Sequence, residues 1–328
     1  MNATDKPCRW GILGPGNIAE RFAAAARELP QAQLRAVASR DPARAAAFAN
    51  RFSMPVHYGS YEALANDPSV DAIYIATPHA FHLKHTLLCL NAHKHVLCEK
   101  PLALNQAQAT RMIDTARSQR AFLMEAMWTR FLPATIKALD LIEAGKIGQL
   151  KYLRADFGTL FKFDASSRIF DLKLGGGSLL DVGVYPLFPA LLLFGRPDEV
   201  KAFAHLCRTG TDDTMNALLF YKQGRIASIL SSVSANTPLN AEIIGTEGTL
   251  TFNHPWYKTQ SLTLSPNSGP PQNIPAPYDG NGLQFEIQEV MNCLAENRLE
   301  SALMPLDLTL SVARVSDEIR AQCGICYE

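Results

Sequence analysis

The sequence predicts an α/β protein with an N-terminal Rossmann doubly wound parallel sheet, followed by an α+β domain with a mostly antiparallel open sheet. Three observations carry this. From Arg9 to Met124, short apolar runs alternate with stretches of helical spacing, the order that βαβ units produce. Gly14-Pro15-Gly16-Asn17-Ile18-Ala19 stands between the first apolar run and the first helical one. After Leu150 the strands follow one another through short turns such as Lys222-Gln223-Gly224.

Composition narrows what such a chain can do. With 328 residues, 47% of them hydrophobic, it can bury a large core, and the length suits two domains. Its 31 basic and 31 acidic residues cancel and form no run of like charge. That excludes the electrostatic footprint of a nucleic-acid or anionic-membrane binder and leaves small molecules as the expected partners. The first ten residues lack the layout of a signal peptide, so a cytoplasmic location is expected. Seven cysteines without framework spacing predict no disulfides, and the single Cys323/Cys326 pair reads as the frayed end of a helix. The apolar run from Leu179 to Phe194 contains Asp181 and two prolines and reads as a core helix, not a membrane span.

Taken in order, strand Arg9–Leu13 runs through the glycine turn into a helix. Gly14 permits the tight turn, Gly16 lets backbone N–H groups of the Asn17-Ile18 helix start approach a pyrophosphate, and Ala19 allows helix and strand to pack closely. This predicts dinucleotide binding. The second strand ends at Ser39-Arg40, where an NAD-binding chain would place a carboxylate on the ribose 2′-hydroxyl. A hydroxyl and a guanidinium suit a 2′-phosphate instead, so NADP is the expected cofactor. Asp41 reads better as the N-cap of a helix over Pro42 to Phe52.

The strand Ala72–Ala76 closes with Thr77-Pro78 at the cofactor edge, so Thr77 is expected to meet the nicotinamide half, and His82 to help line the pocket. His79, His82 and His85 have a spacing that invites a metal, but with no carboxylate or cysteine evident beside them none is expected. A buried strand then delivers Cys98-Glu99-Lys100-Pro101. Ligands of open α/β sheets bind beyond the carboxyl ends of the strands, so the Lys100 amine faces a ligand and can carry a proton. After a helix over Asn105 to Gln119 and one more strand, the boundary is expected near Ala126. Residues 1–126 form the dinucleotide-binding domain and residues 127–328 the substrate-binding and dimerisation domain.

In the second half, Gly175-Gly176-Gly177 lets backbone approach a ligand, and Asp181 and Tyr185 follow four residues apart, on one face of a helix. A tyrosine near a lysine can serve as an acid–base group. The stretch Pro266 to Gly282 reads as a mobile loop, and helices over Gly282–Asn297 and Leu306–Ala321 are expected to pack across the antiparallel sheet. The open face of that sheet predicts a homodimer.

These stretches together resemble the superfamily of glucose–fructose oxidoreductase, inositol dehydrogenase and rhizopine-catabolism proteins. The resemblance rests on Gly14 to Ala19, Ala76-Thr77-Pro78, Glu99-Lys100-Pro101, Gly175 to Tyr185 and Ile244-Gly245-Thr246-Glu247-Gly248. Within it, Met124 to Phe131, the tyrosine at 185 and Met304-Pro305-Leu306 are similar to the dihydrodiol dehydrogenase and NADP-dependent D-xylose dehydrogenase subgroup. The resemblance implies Lys100 and Tyr185 as an acid–base pair oriented by Asp181, with Glu99 at the cofactor and Trp128 as a pocket wall. It offers Arg130 and Arg168 each as a substrate anchor or a tie between helices, with the structural role favoured for Arg168 and the substrate role assigned to Arg130. The rivals are a keto-sugar reductase working in the opposite direction and a non-catalytic NADP-binding sensor.

Overall fold

The structure, a computed structural model, describes residues 7–327. They form two compact units: the residues up to Trp128 together with Asp279–Leu310, and Thr129–Tyr278 together with the residues from Ser311 on.

The first unit opens as β1 (Cys8–Leu13), α1 (Asn17–Ala26), β2 (Ala32–Ala38), α2 (Pro42–Phe52), β3 (Val56–Tyr58) and α3 (Tyr61–Ala65). It continues as β4 (Ala72–Ile75), α4 (His82–Asn91), β5 (His95–Glu99), α5 (Gln106–Gln119) and β6 (Leu123–Ala126). All six strands are parallel, in the order β3-β2-β1-β4-β5-β6. The order reverses beside β1, and at such a switch point the loops after β1 and β4 diverge and leave a crevice. The core here is aromatic. Phe22 of α1 stacks on Tyr74 of β4 at 3.9 Å and meets Trp10 of β1 edge-on at 5.2 Å.

The second unit contains α6 (Pro133–Glu143), β7 (Leu150–Gly158), a wide π-helical turn at Leu179–Gly183 and α7 (Val184–Phe194). Then come β8 (Glu199–Leu206), β9 (Asp212–Tyr221), β10 (Arg225–Ser232), β11 (Ala241–Gly245), β12 (Gly248–Phe252), β13 (Ser261–Pro266) and β14 (Gln272–Pro275). The sheet order is β14-β13-β12-β11-β7-β10-β9-β8, antiparallel throughout except for the parallel pair β7/β10. Helix α7 lies on β7 and β10. The stretch Leu172–Phe194 contains an 18-residue window apolar enough to pass for a membrane span, with a mean hydropathy of 1.6, but 83% of that window is buried in this fold. On β9, Met215, Ala217 and Leu219 are buried while Asn216 and Leu218 are exposed, so one face of the sheet is packed and the other open. Phe203 of β8, 82% exposed, stands on that open face opposite Asn216.

Two expectations need correction. Pro266 to Gly282 is not all loop, because β14 pairs with β13 in register from Ser261/Pro275 to Leu264/Gln272. The helix expected across the second sheet, α8 (Gln284–Ala295), instead packs on α1 in the first unit. The boundary read at residue 126 therefore describes one crossing of the chain, which later returns. Helix α9 (Leu306–Cys323) then begins in the first unit and ends in the second, where the Gln322 side chain accepts from the Ala202 N–H and donates to the Val200 carbonyl, sealing edge strand β8.

Candidate active site

The glycine turn after β1 has the form a dinucleotide needs. Gly14 sits at φ +97°, where a side chain is strained, and a Cβ there would press on Thr77 Cγ2 at 3.0 Å and the Ala76 carbonyl at 3.2 Å. Gly16 is the opposite case: a Cβ on it would meet nothing within 4 Å, so open space lies over it. It is the N-cap of α1 and supplies no side-chain cap, which leaves the N–H groups of Asn17 and Ile18 for a ligand. An orphaned helix start beneath open space fits a pyrophosphate.

At the end of β2, Ser39 is buried, and its hydroxyl accepts from the Asp41 N–H at 3.1 Å. Asp41 caps α2, accepting from Ala43 N–H at 2.9 Å and Arg44 N–H at 3.3 Å, so its carboxylate is engaged as the sequence suggests. Arg40 is exposed, with its guanidinium 5.8 Å from the centre of the Phe81 ring. Arg44, which sequence reasoning passed over, donates to the Pro15 carbonyl of the glycine turn at 3.3 Å. Arg40 therefore stands at the end of β2 and Arg44 at the glycine turn.

His82 is a correction. Its ring is fully buried, with Nδ1 2.8 Å from the Pro101 carbonyl and Nε2 2.8 Å from the Thr77 carbonyl. Burial holds its pKa below the ordinary value, so a neutral ring donates to one of the two carbonyls. It clasps the end of β4 to the segment after Lys100 and offers no face to a cofactor. Thr77 is also buried, 3.0 Å from His85 Nδ1. Burial brings His85 down to about 4, so it is neutral at pH 7.

Lys100 follows β5 and is half-buried. Its backbone N–H donates to Glu99 Oε2 at 3.2 Å, while Glu99 Oε1 accepts from the Tyr74 hydroxyl, which braces the strand end from the core. Two acids missed in the sequence lie close by. Glu125 of β6 accepts from the Leu102 N–H at 2.9 Å, and burial pushes its pKa up to about 7. Glu286 of α8 is completely buried, neither carboxylate oxygen has a partner among the described residues, and burial raises its pKa well above the usual range. Trp128 is buried with the Arg21 guanidinium 5.8 Å from its ring centre.

The other candidates, Asp181, Tyr185, Arg130 and Arg168, belong to the second unit. Asp181 lies on the wide turn and Tyr185 on the first turn of α7, both buried. Arg168 Nη1 donates to Asp181 Oδ1 at 2.9 Å, from a side chain that is 51% exposed to one that is 7% exposed. The tie expected of Arg168 is therefore made to a site residue. Arg130 is buried. Beside Tyr185 stands an aromatic wall: Phe157 lies 5.1 Å from the Tyr185 ring and stacks on Tyr257 at 4.4 Å. Phe157 is the next-to-last residue of β7 and Tyr257 comes from a turn 100 residues later, so no local pattern announces them.

Known families match both parts of the chain. The oxidoreductase family with an NAD-binding Rossmann fold matches residues 8–127, and the GFO/IDH/MocA C-terminal domain matches residues 135–251. The chain belongs to the GFO/IDH/MocA oxidoreductase family. It is 39% identical to the trans-1,2-dihydrobenzene-1,2-diol dehydrogenase of Danio rerio, over 97% of this chain and 98% of that one. The mouse (Mus musculus) enzyme of the same name is 38% identical, over 97% and 98%. Among solved structures, a 3-ketoreductase from Actinomadura kijaniata in complex with NADP and TDP-benzene superposes with a TM-score of 0.85 at 27% identity, covering 97% and 98%. The same ketoreductase has been solved with a tyrosine changed to phenylalanine and with a lysine changed to alanine. An aldose-aldose oxidoreductase from Caulobacter crescentus complexed with glycerol gives 0.88 at 25% identity, covering 97% and 98%. As a GFO/IDH/MocA protein, this chain is an NAD(P)-binding oxidoreductase related to dihydrodiol dehydrogenases, with sugar oxidoreductases among its structural neighbours.

Proposed function

We propose that this protein is an NADP-dependent dehydrogenase that oxidises a hydroxyl-bearing carbon of a vicinal diol or a sugar, with Lys100 and Tyr185 as the acid–base pair. The observation that carries the reading is the buried Asp181 and Tyr185 on one broken helix, with Tyr185 against the aromatic wall of Phe157 and Tyr257. A bound nicotinamide supplies the acceptor for the hydrogen and electron pair that leave the carbon. Tyr185 takes the hydroxyl proton, and the Lys100 ammonium favours the phenolate that does so. Asp181, held by Arg168, orients the acid–base pair, and Trp128 and Arg130 complete the substrate contacts. Phe157 and Tyr257 favour a ring-bearing substrate, whose apolar face packs on them. That a tyrosine and a lysine were the residues changed in the ketoreductase variants supports the pair. That relative also favours a second reading, in which the same residues reduce a keto-sugar. The test is turnover with NADP⁺ against trans-dihydrodiols and aldoses, including D-xylose; tight NADP binding without turnover on any of them favours the sensor instead. For assembly, the open sheet face bearing Phe203 is proposed as a homodimer contact.

The cofactor preference has its own test. Charge-assisted bonds from Arg40, and the Ser39 hydroxyl, favour a 2′-phosphate, but Arg40 is exposed and solvent screens it. A preference for NADP over NAD of about tenfold, or about 1.4 kcal/mol, is expected in kcat/KM. Ser39→Asp with Arg40→Ala should reverse it. Equal kcat/KM for the two cofactors in the parent chain would contradict the assignment.

A further inference from the structure

We propose that Asp212 is a positioning residue of this reaction, its buried carboxylate fixing the frame of the turn that carries Asp181 and Tyr185. The proposal rests on the reading that gives those two residues the chemistry. Asp212 opens β9 and is 0% exposed. Its Oδ2 accepts twice at the start of the wide turn, from the Ser178 hydroxyl at 2.7 Å and from the Leu179 N–H at 2.7 Å. Ser178 Oγ also lies 2.9 Å from Ser231 Oγ on β10. From here the chain has one and a half turns to reach Tyr185. A shift at Leu179 is therefore carried to both site residues.

The glycines show how closely the backbone is pressed to this anchor. Gly177 has φ +118°, and a Cβ on it would collide with Asp212 Oδ1 and stand 3.1 Å from the Tyr327 hydroxyl. A Cβ on Gly183, at the other end of the wide turn, would stand 2.9 Å from Ser231 Oγ. The turn is thus gripped by β9 at its start and by β10 at its end. Oδ1 of Asp212 has no hydrogen-bond partner among the described residues, a costly state for a buried carboxylate. A neutral serine or asparagine would make a cheaper cap, so the charge needs a reason, and two strong acceptor bonds from one oxygen supply one.

The anchor also titrates. Burial pushes Asp212 up to about 6, while its bonds to Ser178 and Leu179 pull it down. The groups around it are Asp213 on its own strand, which faces His205 at 2.9 Å, and Cys323 and Tyr327 from the C-terminal segment. The Tyr327 hydroxyl donates to the Gly176 carbonyl at 2.7 Å, and the Arg320 guanidinium lies 5.1 Å from its ring centre. Below pH 6 the carboxyl gains a proton and its hold on the Ser178 hydroxyl and the Leu179 N–H weakens.

The experiment compares the parent chain with Asp212→Asn, Asp212→Ala and Ser178→Ala, each assayed with NADP⁺ and a diol or sugar that the parent oxidises. The expected result is a fall in kcat of about ten- to a hundredfold in Asp212→Ala, the scale for misplaced catalytic groups, with NADP affinity unchanged. Asp212→Asn, which keeps the shape, should lose the part of the acid limb of kcat that falls near pH 6. Ser178→Ala removes one of the two bonds and should lie between parent and alanine variant. Amide exchange at Leu179 reads the grip without turnover and should quicken in Asp212→Ala. An unchanged acid limb in Asp212→Asn together with parent kcat in Ser178→Ala would overturn the proposal alone. A parent chain that oxidises no diol or sugar would overturn the reading beneath it as well.

Discussion

Lys100→Met is expected to lower kcat by about a hundred- to ten-thousandfold while NADP affinity stays near that of the parent chain, because general acid–base groups contribute on that scale. Methionine keeps the length of the side chain and removes only the ammonium. Two bonds that brace the strand end, Tyr74 to Glu99 and the Lys100 N–H to Glu99, are retained in the variant. Tyr185→Phe should give a loss of the same order, since the ring still packs on Phe157. The check is kcat alongside NADP binding by fluorescence. Parent-like kcat in either variant would remove that residue from the pair.

The second large effect is on stability. Glu125 binds its proton more tightly in the folded chain, at about 7 against an ordinary 4.5. Below pH 4.5 both folded and unfolded chains are protonated there and the full benefit is present. Between 4.5 and 7 the unfolded chain gives up the proton first, so stability falls as the pH rises and is lowest above 7. At about 1.4 kcal/mol for each tenfold change in proton binding, the loss amounts to about 3 kcal/mol. Glu286 and Asp212, raised by burial as well, add to it with the same sign. Glu125→Gln retains an acceptor for the Leu102 N–H and abolishes the titration. Denaturant midpoints of parent and variant should agree near pH 4.5 and separate above pH 7, with the variant the more stable. Parallel midpoints across that range would contradict the assignment.

How far the sequence could be read depends on how local each interaction is. The β1–glycine–α1 unit was legible because the turn, the N-cap and the strand are neighbours in the chain, and so was Asp41 as a cap two residues from its acceptor bond. Strand β3, three residues long, carries no measurable period, and β14 hides in a stretch of Pro, Gly, Asn and Gln. The amphipathic pattern of α8 reveals an apolar face but not which surface receives it. His82 looked accessible at a helix start, yet its ring is enclosed by carbonyls 5 residues before it and 19 after it in the chain. Asp212 lies 33 residues beyond the amide it holds, and Phe157 and Tyr257 meet 100 residues apart, so neither grouping leaves a trace in spacing.

The most direct measurement of the central claim follows the hydrogen itself. A diol or sugar deuterated at its hydroxyl-bearing carbons is incubated with the parent protein and NADP⁺, and the reduced cofactor is examined by mass spectrometry. The account predicts reduced NADP carrying one deuterium from the substrate carbon, with the hydroxyl proton released to solvent. Absence of reduced cofactor, or reduced cofactor whose new hydrogen comes from water, would contradict it.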